Sequence, residues 1–279
     1  MRVLVTRPLN EASAWVTALT AAGHEAIALP LIDIGPVKDQ AAVLSAWQAV
    51  SSCQAIMFVS AAAVKYFFAA VQHPPSVETA STPSAASIGQ HLGHTRCWAT
   101  GLGTRKALLQ VGVPDALIDA PSADAGQFDS EALWRVVAPK LVPSQAVLIV
   151  RGTDDLAPKQ EHLAANPQGV GRDWLAQTLH SAGVPVRWAV SYQRGLPLWS
   201  EAQRHLAQTA SADGSVWCFS SSQAISFLQR LLPQQTWSSA RCIVTHPRIA
   251  EAARALGFGH ISLSRPLIDE VVGSLESMA

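Results

Sequence analysis

Short apolar runs alternate along this chain with stretches whose apolar residues recur at helical spacing. Residues 2–8, RVLVTRP, read as a strand, EASAWVTALTAAG (11–23) as a helix and HEAIALPL (24–31) as a second strand. The same phrase opens again at AVLIVRG (146–152) and continues through a helix, DWLAQTLHSAG (173–183), to a strand, VPVRWAV (184–190). In both copies the first strand ends on arginine, Arg7 or Arg151, and the helix ends at glycine, Gly23 or Gly183; a glycine just past a helix predicts a C-cap. A second phrase, a strand that breaks on serine into an apolar helix, occurs as FVSAAAVKYFFAA (58–70) and FSSSQAISFLQRL (219–231). A third, strand–turn–helix–glycine, occurs as RCWATGLGTRKALLQVGV (96–113) and RCIVTHPRIAEAARALGF (241–258).

Strands alternating with helices predict an α/β protein with doubly wound parallel sheets. Three phrases, each present twice, predict two such domains. Two cuts satisfy the order of phrases: a tandem arrangement with a boundary near residue 140, or a nested one with the second domain inserted into the first. Polar, proline-rich segments at 73–87, 121–127 and 153–171 read as loops. The last is long for a strand-to-helix connection and reads as a lid or as decoration.

The 279 residues suffice for two domains, and 49% hydrophobic against 14% charged residues suits sheets buried on both faces. Twenty acidic and twenty basic side chains balance, so no bulk charge points to nucleic acid or a membrane surface. VLV at 3–5 is too short for a signal peptide, and AIMFVSAAAV at 55–64 too short to span a bilayer. A soluble cytoplasmic protein is expected. Cys53, Cys97, Cys218 and Cys242 form no C-x-x-C pair and read as buried, reduced thiols.

In open α/β sheets, ligands sit at the carboxyl ends of the strands, where free helix amides and the helix dipole favour anions. Ser60 and Ser220–Ser222 lie at such ends, with Ala61–Ala63 leaving room for close approach; each serine also reads as a simple N-cap. Gly101–Thr104 reads as a modest anion-binding turn, because the third glycine of a dinucleotide loop and the Lys-Ser/Thr of a phosphate loop are missing. His91 and His94 share a helical spacing but gather no further ligand for zinc. Neither a G-x-S-x-G elbow nor a catalytic carboxylate pair is present, and the nine tryptophans are scattered as core residues. The residues describe an anion-binding protein without metal, nucleophile or cofactor loop.

LVTRP (4–8), ALPLIDI (28–34), FVSAAAV (58–64), GLGT (101–104), LIVRG (148–152), GRDWLAQTL (171–179) and SYQR (191–194) together resemble, in order, the uroporphyrinogen-III synthase family. The resemblance implies the nested cut. One flavodoxin-like domain spans 1–33 and 196–279 and the other 34–195, with extended crossovers near 30–37 and 189–197 and the active site in the cleft between the domains. It implies a lyase that takes hydroxymethylbilane, a linear tetrapyrrole with acetate and propionate arms. The enzyme expels water and closes the ring with the last pyrrole inverted, through a spiro intermediate, to uroporphyrinogen III. No cofactor or metal is implied. The expected partners are that substrate and, as a candidate transient contact, hydroxymethylbilane synthase; a monomer is expected.

Tyr192 matches the family's crossover tyrosine and is the candidate general acid; a structural tyrosine at the hinge is the alternative. Candidate substrate-binding residues are Arg7, Ser60, Gly101, Thr104, Arg151, Arg172, Ser221, Ser222, His246 and Arg248. The chain departs from the family at Val59 and at His246–Ile249, where Arg248 offers a cation in place of a hydroxyl. A non-catalytic two-domain protein that binds an anionic small molecule, or a paralogue that lost the chemistry, would use the same scaffold.

Overall fold

A computed structural model describes residues 1–72, 85–122, 129–154 and 173–278. The strands are β1 (Arg2–Val5), β2 (Glu25–Ala28), β3 (Asp33–Pro36), β4 (Cys53–Phe58), β5 (Arg96–Ala99), β6 (Ile118–Asp119), β7 (Ala146–Asp154), β8 (Val186–Gly195), β9 (Val216–Phe219), β10 (Arg241–Val244) and β11 (His260–Leu263). The helices are α1 (Leu9–Ala21), α2 (Ala41–Gln48), α3 (Ala61–Gln72), α4 (Ala85–Leu92), α5 (Leu102–Gln110), α6 (Ser130–Val137), α7 (Trp174–Ser181), α8 (Glu201–Thr209), α9 (Ser222–Leu231), α10 (Pro247–Leu256) and α11 (Ile268–Glu276). Two compact units emerge: Met1–Asp33 with Gly195–Ala279, and Ile34–Arg194.

The first unit holds a five-stranded sheet in the order β11-β10-β9-β1-β2, with every neighbouring pair parallel. Numbered within the unit, this is the flavodoxin-like order 2-1-3-4-5 read from its other edge. The second unit holds a six-stranded sheet, β3-β8-β7-β4-β5-β6. Taking β7 as its first strand gives the same order, with β3 added at the edge beside β8. The second unit is therefore a circular permutation of the first. That is the physical origin of the repeated phrases: β1 corresponds to β7, β9 to β4 and β10 to β5. β3 and β8, the strands at which the chain passes from one unit to the other, are neighbours in one sheet.

Side-chain alternation buries both faces of the second sheet. Ile56, Phe58, Leu148 and Val150 face a core with Phe67 and Phe68 of α3 and Leu108 of α5, while Ala55, Met57, Val147 and Ile149 face Leu133 of α6 and Leu175 and Leu179 of α7. In the first unit Val3, Val5, Val216 and Ile243 pack against Leu19 of α1 and Leu275 of α11. Trp217, Phe219, Trp237 and Phe258 form an aromatic cluster with centroids 5.2–6.4 Å apart. Each fully buried large side chain contributes about 1.5–3 kcal/mol.

Four helices end alike. Gly23, Gly112, Gly183 and Gly257 have φ between 73° and 99°, and the amide after each bonds a carbonyl five residues back: His24 to Leu19, Val113 to Leu108, Val184 to Leu179 and Phe258 to Ala253. This left-handed cap favours glycine. All four cysteines are free and buried. Burial pushes the Cys97, Cys218 and Cys242 thiols up to about 12 and raises Cys53.

Two loop expectations change. Residues 85–87 belong to α4. Thr153 and Asp154 continue β7, paired with Gln193 and Arg194 of β8 and closed by an Asp154–Arg194 ion pair at 2.9 Å. The rest of the 153–171 segment lies outside the described residues, as does Arg172.

Candidate functional site

In each unit the first strand and its inner neighbour, β1 with β9 and β7 with β4, mark the point where the strand order reverses; ligands bind at the carboxyl ends there.

In the second unit, β4 ends at Phe58 and Ser60 caps α3, its Oγ accepting from the Ala63 amide at 3.2 Å. The same Oγ donates to the Tyr192 hydroxyl at 3.3 Å. Tyr192 reaches it because β8 carries a bulge. Arg151 pairs with Val190 but Gly152 pairs with Tyr192, leaving Ser191 as the extra residue. Ser191 and Tyr192 thus both reach α3, Ser191 donating to the Ala63 carbonyl at 3.1 Å. The Tyr192 ring stacks on Tyr66 at 6.3 Å and lies against Gly152. Tyr66 donates to the Ile34 carbonyl on β3, so two tyrosines tie both crossover strands to α3.

Gly101 begins α5 without any side-chain cap. The first-turn amides of Leu102, Gly103 and Thr104 have no acceptor within the helix and face the dipole's positive end. Thr104 itself is buried in that turn.

The two strand-end arginines are held alike. Arg7 lies over the Trp15 ring at 4.4 Å and pairs with Glu11 at 3.2 Å. Arg151 lies over Trp188 at 3.9 Å and pairs with Asp173 at 2.7 Å. Their freedom differs. Glu11 is 58% exposed, and an exposed i,i+4 pair is worth only about 0.3–0.5 kcal/mol, so it holds Arg7 weakly. The Arg151 side chain is 4% exposed and is committed to the interior of its own unit.

Arg7 and Ser220 line one small recess with Trp15, Cys218 and Thr245. Ser221 caps α9 by accepting from the Gln223 amide at 3.2 Å, and the Ser222 hydroxyl is buried without a partner among the described residues. His246 caps α10, its Nδ1 accepting from the Arg248 amide at 3.1 Å; His246 and Arg248 are exposed.

Sequence patterning did not single out Trp15, Thr245 or Gly152. An indole on a helix face reads as core, whereas Gly152, directly after the strand-end arginine, was a usable signal for a close approach. A hollow of about 460 Å³ lies at the opposite, amino end of the second sheet, away from these groups. Its Gln54 bonds Val142 and Gln145, and Arg96 is taken by Asp119 and the Ala116 carbonyl. Among the described residues no cluster of His, Cys, Asp and Glu has metal-site geometry, and no helix is long and apolar enough to cross a membrane.

Two permuted flavodoxin-like units, each presenting hydroxyls, an arginine and helix amides at its strand ends, define a two-domain α/β protein. The sequence profile of a family described as uroporphyrinogen-III synthase HemD matches residues 13–166 and 155–272. The chain belongs to the uroporphyrinogen-III synthase family, whose members are enzymes of tetrapyrrole synthesis. Two solved structures share the fold. Uroporphyrinogen-III synthetase from Helicobacter pylori is 14% identical, with 100% of each chain covered and a TM-score of 0.58. A mutant uroporphyrinogen III synthase from the extremely thermophilic bacterium Thermus thermophilus is 13% identical, with 100% of this chain and 98% of the other covered and a TM-score of 0.53. No curated protein matches the chain in sequence.

Proposed function

We propose that this protein is a lyase that converts hydroxymethylbilane to uroporphyrinogen III, with Tyr192 as the general acid. The observation that carries the reading is family membership across residues 13–272, joined to a phenol held at the switch point of the second sheet. The Tyr192 proton passes to the terminal hydroxyl of the bilane, which leaves as water. The electron pair of the adjacent pyrrole fills the vacancy, giving a methylene-pyrrole cation. The last ring attacks through its substituted carbon to form a spiro intermediate, which reopens and closes with that ring inverted. A final ring proton is lost, restoring the phenol through solvent.

A phenol suits this step because it donates a proton while uncharged near neutral pH, and acid assistance contributes about 10²–10⁴-fold. Holding the chain ends together supplies much of the remainder. Arg7, the open amides of Gly101–Thr104, Ser221, His246 and Arg248 are the proposed acetate and propionate partners. Each offers a donor or a cation to a carboxylate. Arg151 acts through Asp173 and Trp188 in shaping the second unit's strand end. The protein works as a monomer.

The test couples the purified protein to porphobilinogen and hydroxymethylbilane synthase, then oxidises and separates the uroporphyrin isomers. A large excess of type III is expected. Only type I, from folded protein, would leave the binding-protein or lost-chemistry reading.

A further inference from the structure

Ser60 stands among the candidate substrate-binding residues, but its hydrogen bonds point to a different task. A serine hydroxyl has one hydrogen and two lone pairs. One lone pair takes the Ala63 amide at 3.2 Å, and the Ser60 oxygen lies 3.3 Å from the Tyr192 oxygen, placed to give its hydrogen there. A hydrogen given to Tyr192 is not available to a carboxylate. With Ser60 donating, the Tyr192 oxygen is the acceptor of that pair and the phenol keeps its own hydrogen.

We infer that Ser60 is a positioning residue: it fixes the Tyr192 hydroxyl as an acceptor, so that the phenol's own proton is directed to the bilane hydroxyl. This rests on the acid role proposed for Tyr192. Three further features support it. The Ala63 amide belongs to the first turn of α3, so the Ser60 oxygen is anchored to a helix end and not to a loose loop. The bulge at Ser191 of β8 re-aims Tyr192 toward that turn. Gly152 leaves the room the ring occupies: a Cβ there would sit 2.4 Å from Tyr192 Cε2 and Cζ. At 3.3 Å the hydroxyl pair is long, and such contacts tighten when a substrate fills the site.

The capping and positioning tasks of Ser60 separate by substitution. Ser60→Thr keeps both the acceptor for Ala63 and the donor for Tyr192. Ser60→Asp keeps the cap, because aspartate is a favoured N-cap, but offers only acceptors. The phenol must then donate to the aspartate, turning its hydrogen away from the substrate. Ser60→Ala loses both. The experiment measures kcat and KM for type III formation, with thermal unfolding as the control. Expected are near wild-type kcat for Ser60→Thr, a kcat lower by about tenfold for Ser60→Ala, and an equal or larger kcat loss for Ser60→Asp despite wild-type thermal stability. Wild-type kcat in Ser60→Asp would overturn the positioning role and leave Ser60 a simple cap. A loss confined to KM in Ser60→Ala would overturn it in favour of substrate binding. Full activity in Tyr192→Phe would overturn the acid role itself, and this inference with it; a loss in Tyr192→Phe beside an active Ser60→Asp would overturn the inference alone.

Discussion

Replacing Gly152 with alanine would put a methyl carbon 2.4 Å from Tyr192 Cε2 and Cζ and 2.9 Å from Cδ2. Ordinary contact lies at 3.4–4 Å, so the ring must retreat by about 1 Å or β7 must bend. The ring is no loose end. Tyr192 is 5% exposed, belongs to the core that includes Ile56, Phe58 and Phe67, and stacks on Tyr66. Overpacking a site of this kind costs about 1–3 kcal/mol. The same displacement disturbs the contact with Ser60, which at 3.3 Å is already long. A misplacement of about 1 Å at a reacting group can cost about 100-fold in rate. Urea unfolding and the isomer assay read the two effects separately. A loss of about 1–3 kcal/mol in stability with a kcat lower by one to two orders of magnitude is expected. Gly152→Ala with wild-type stability and rate would refute the tight fit of Tyr192 against β7 and the positional account built on it.

Four other outcomes follow from the same geometry. Gly259→Ala would place a methyl 1.9 Å from the Ser238 carbonyl oxygen; backbone cannot swing aside, so a loss of about 3 kcal/mol or more is expected in chemical denaturation. Burial alone would raise the Asp119 carboxyl, but hydrogen bonds and charges from Arg96 and Lys140 outweigh it and hold it below its ordinary value; this stabilisation is present above about pH 4 and lost as pH falls through the depressed value, so Asp119→Asn should flatten the acid limb of a stability–pH curve. The four buried thiols, three of them pushed up to about 12, should ignore a disulfide reagent at about pH 8 until the protein unfolds; a fast-reacting thiol in folded protein would contradict the packing. Arg7→Ala should raise KM about tenfold with a smaller change in kcat, because the role proposed for Arg7 is a charge-assisted contact to a substrate arm and not proton transfer; an unchanged KM in steady-state assays would remove it from the site.

Much of the fold is legible from the chain because its signals are local. Fully apolar runs such as AVLIV mark strands covered on both faces, and the helix-ending glycines Gly23 and Gly183 mark left-handed caps. The repeated phrases disclose two related units. Their circular permutation is legible only once the strand order is known, since register and neighbour choice are non-local. The ends of elements are harder. β7 runs on to Asp154 because β8 offers a partner and Arg194 a counter-charge, neither of which sits near Asp154 in sequence. For the site, residue type at strand ends brought out Ser60, Gly101 and Ser221, and the family resemblance added Arg7 and His246, but neither showed how committed each is. Arg151 is buried against Asp173 and Trp188, Ser60 caps α3 and lies 3.3 Å from the Tyr192 hydroxyl, and Ser221 and His246 each cap a helix. The commitments in the second unit depend on contacts across 22 to 132 residues of chain, which no pattern of neighbouring residues encodes.

The initial rate of type III formation by Tyr192→Phe, compared with the unsubstituted protein at saturating substrate, bears most directly on the central claim. The substitution removes one oxygen and leaves the ring on Gly152 and Tyr66. A fall of about 100-fold or more with unchanged thermal stability is predicted, the type I isomer then accumulating from uncatalysed closure. An undiminished rate would contradict the assignment of the leaving-group proton to Tyr192.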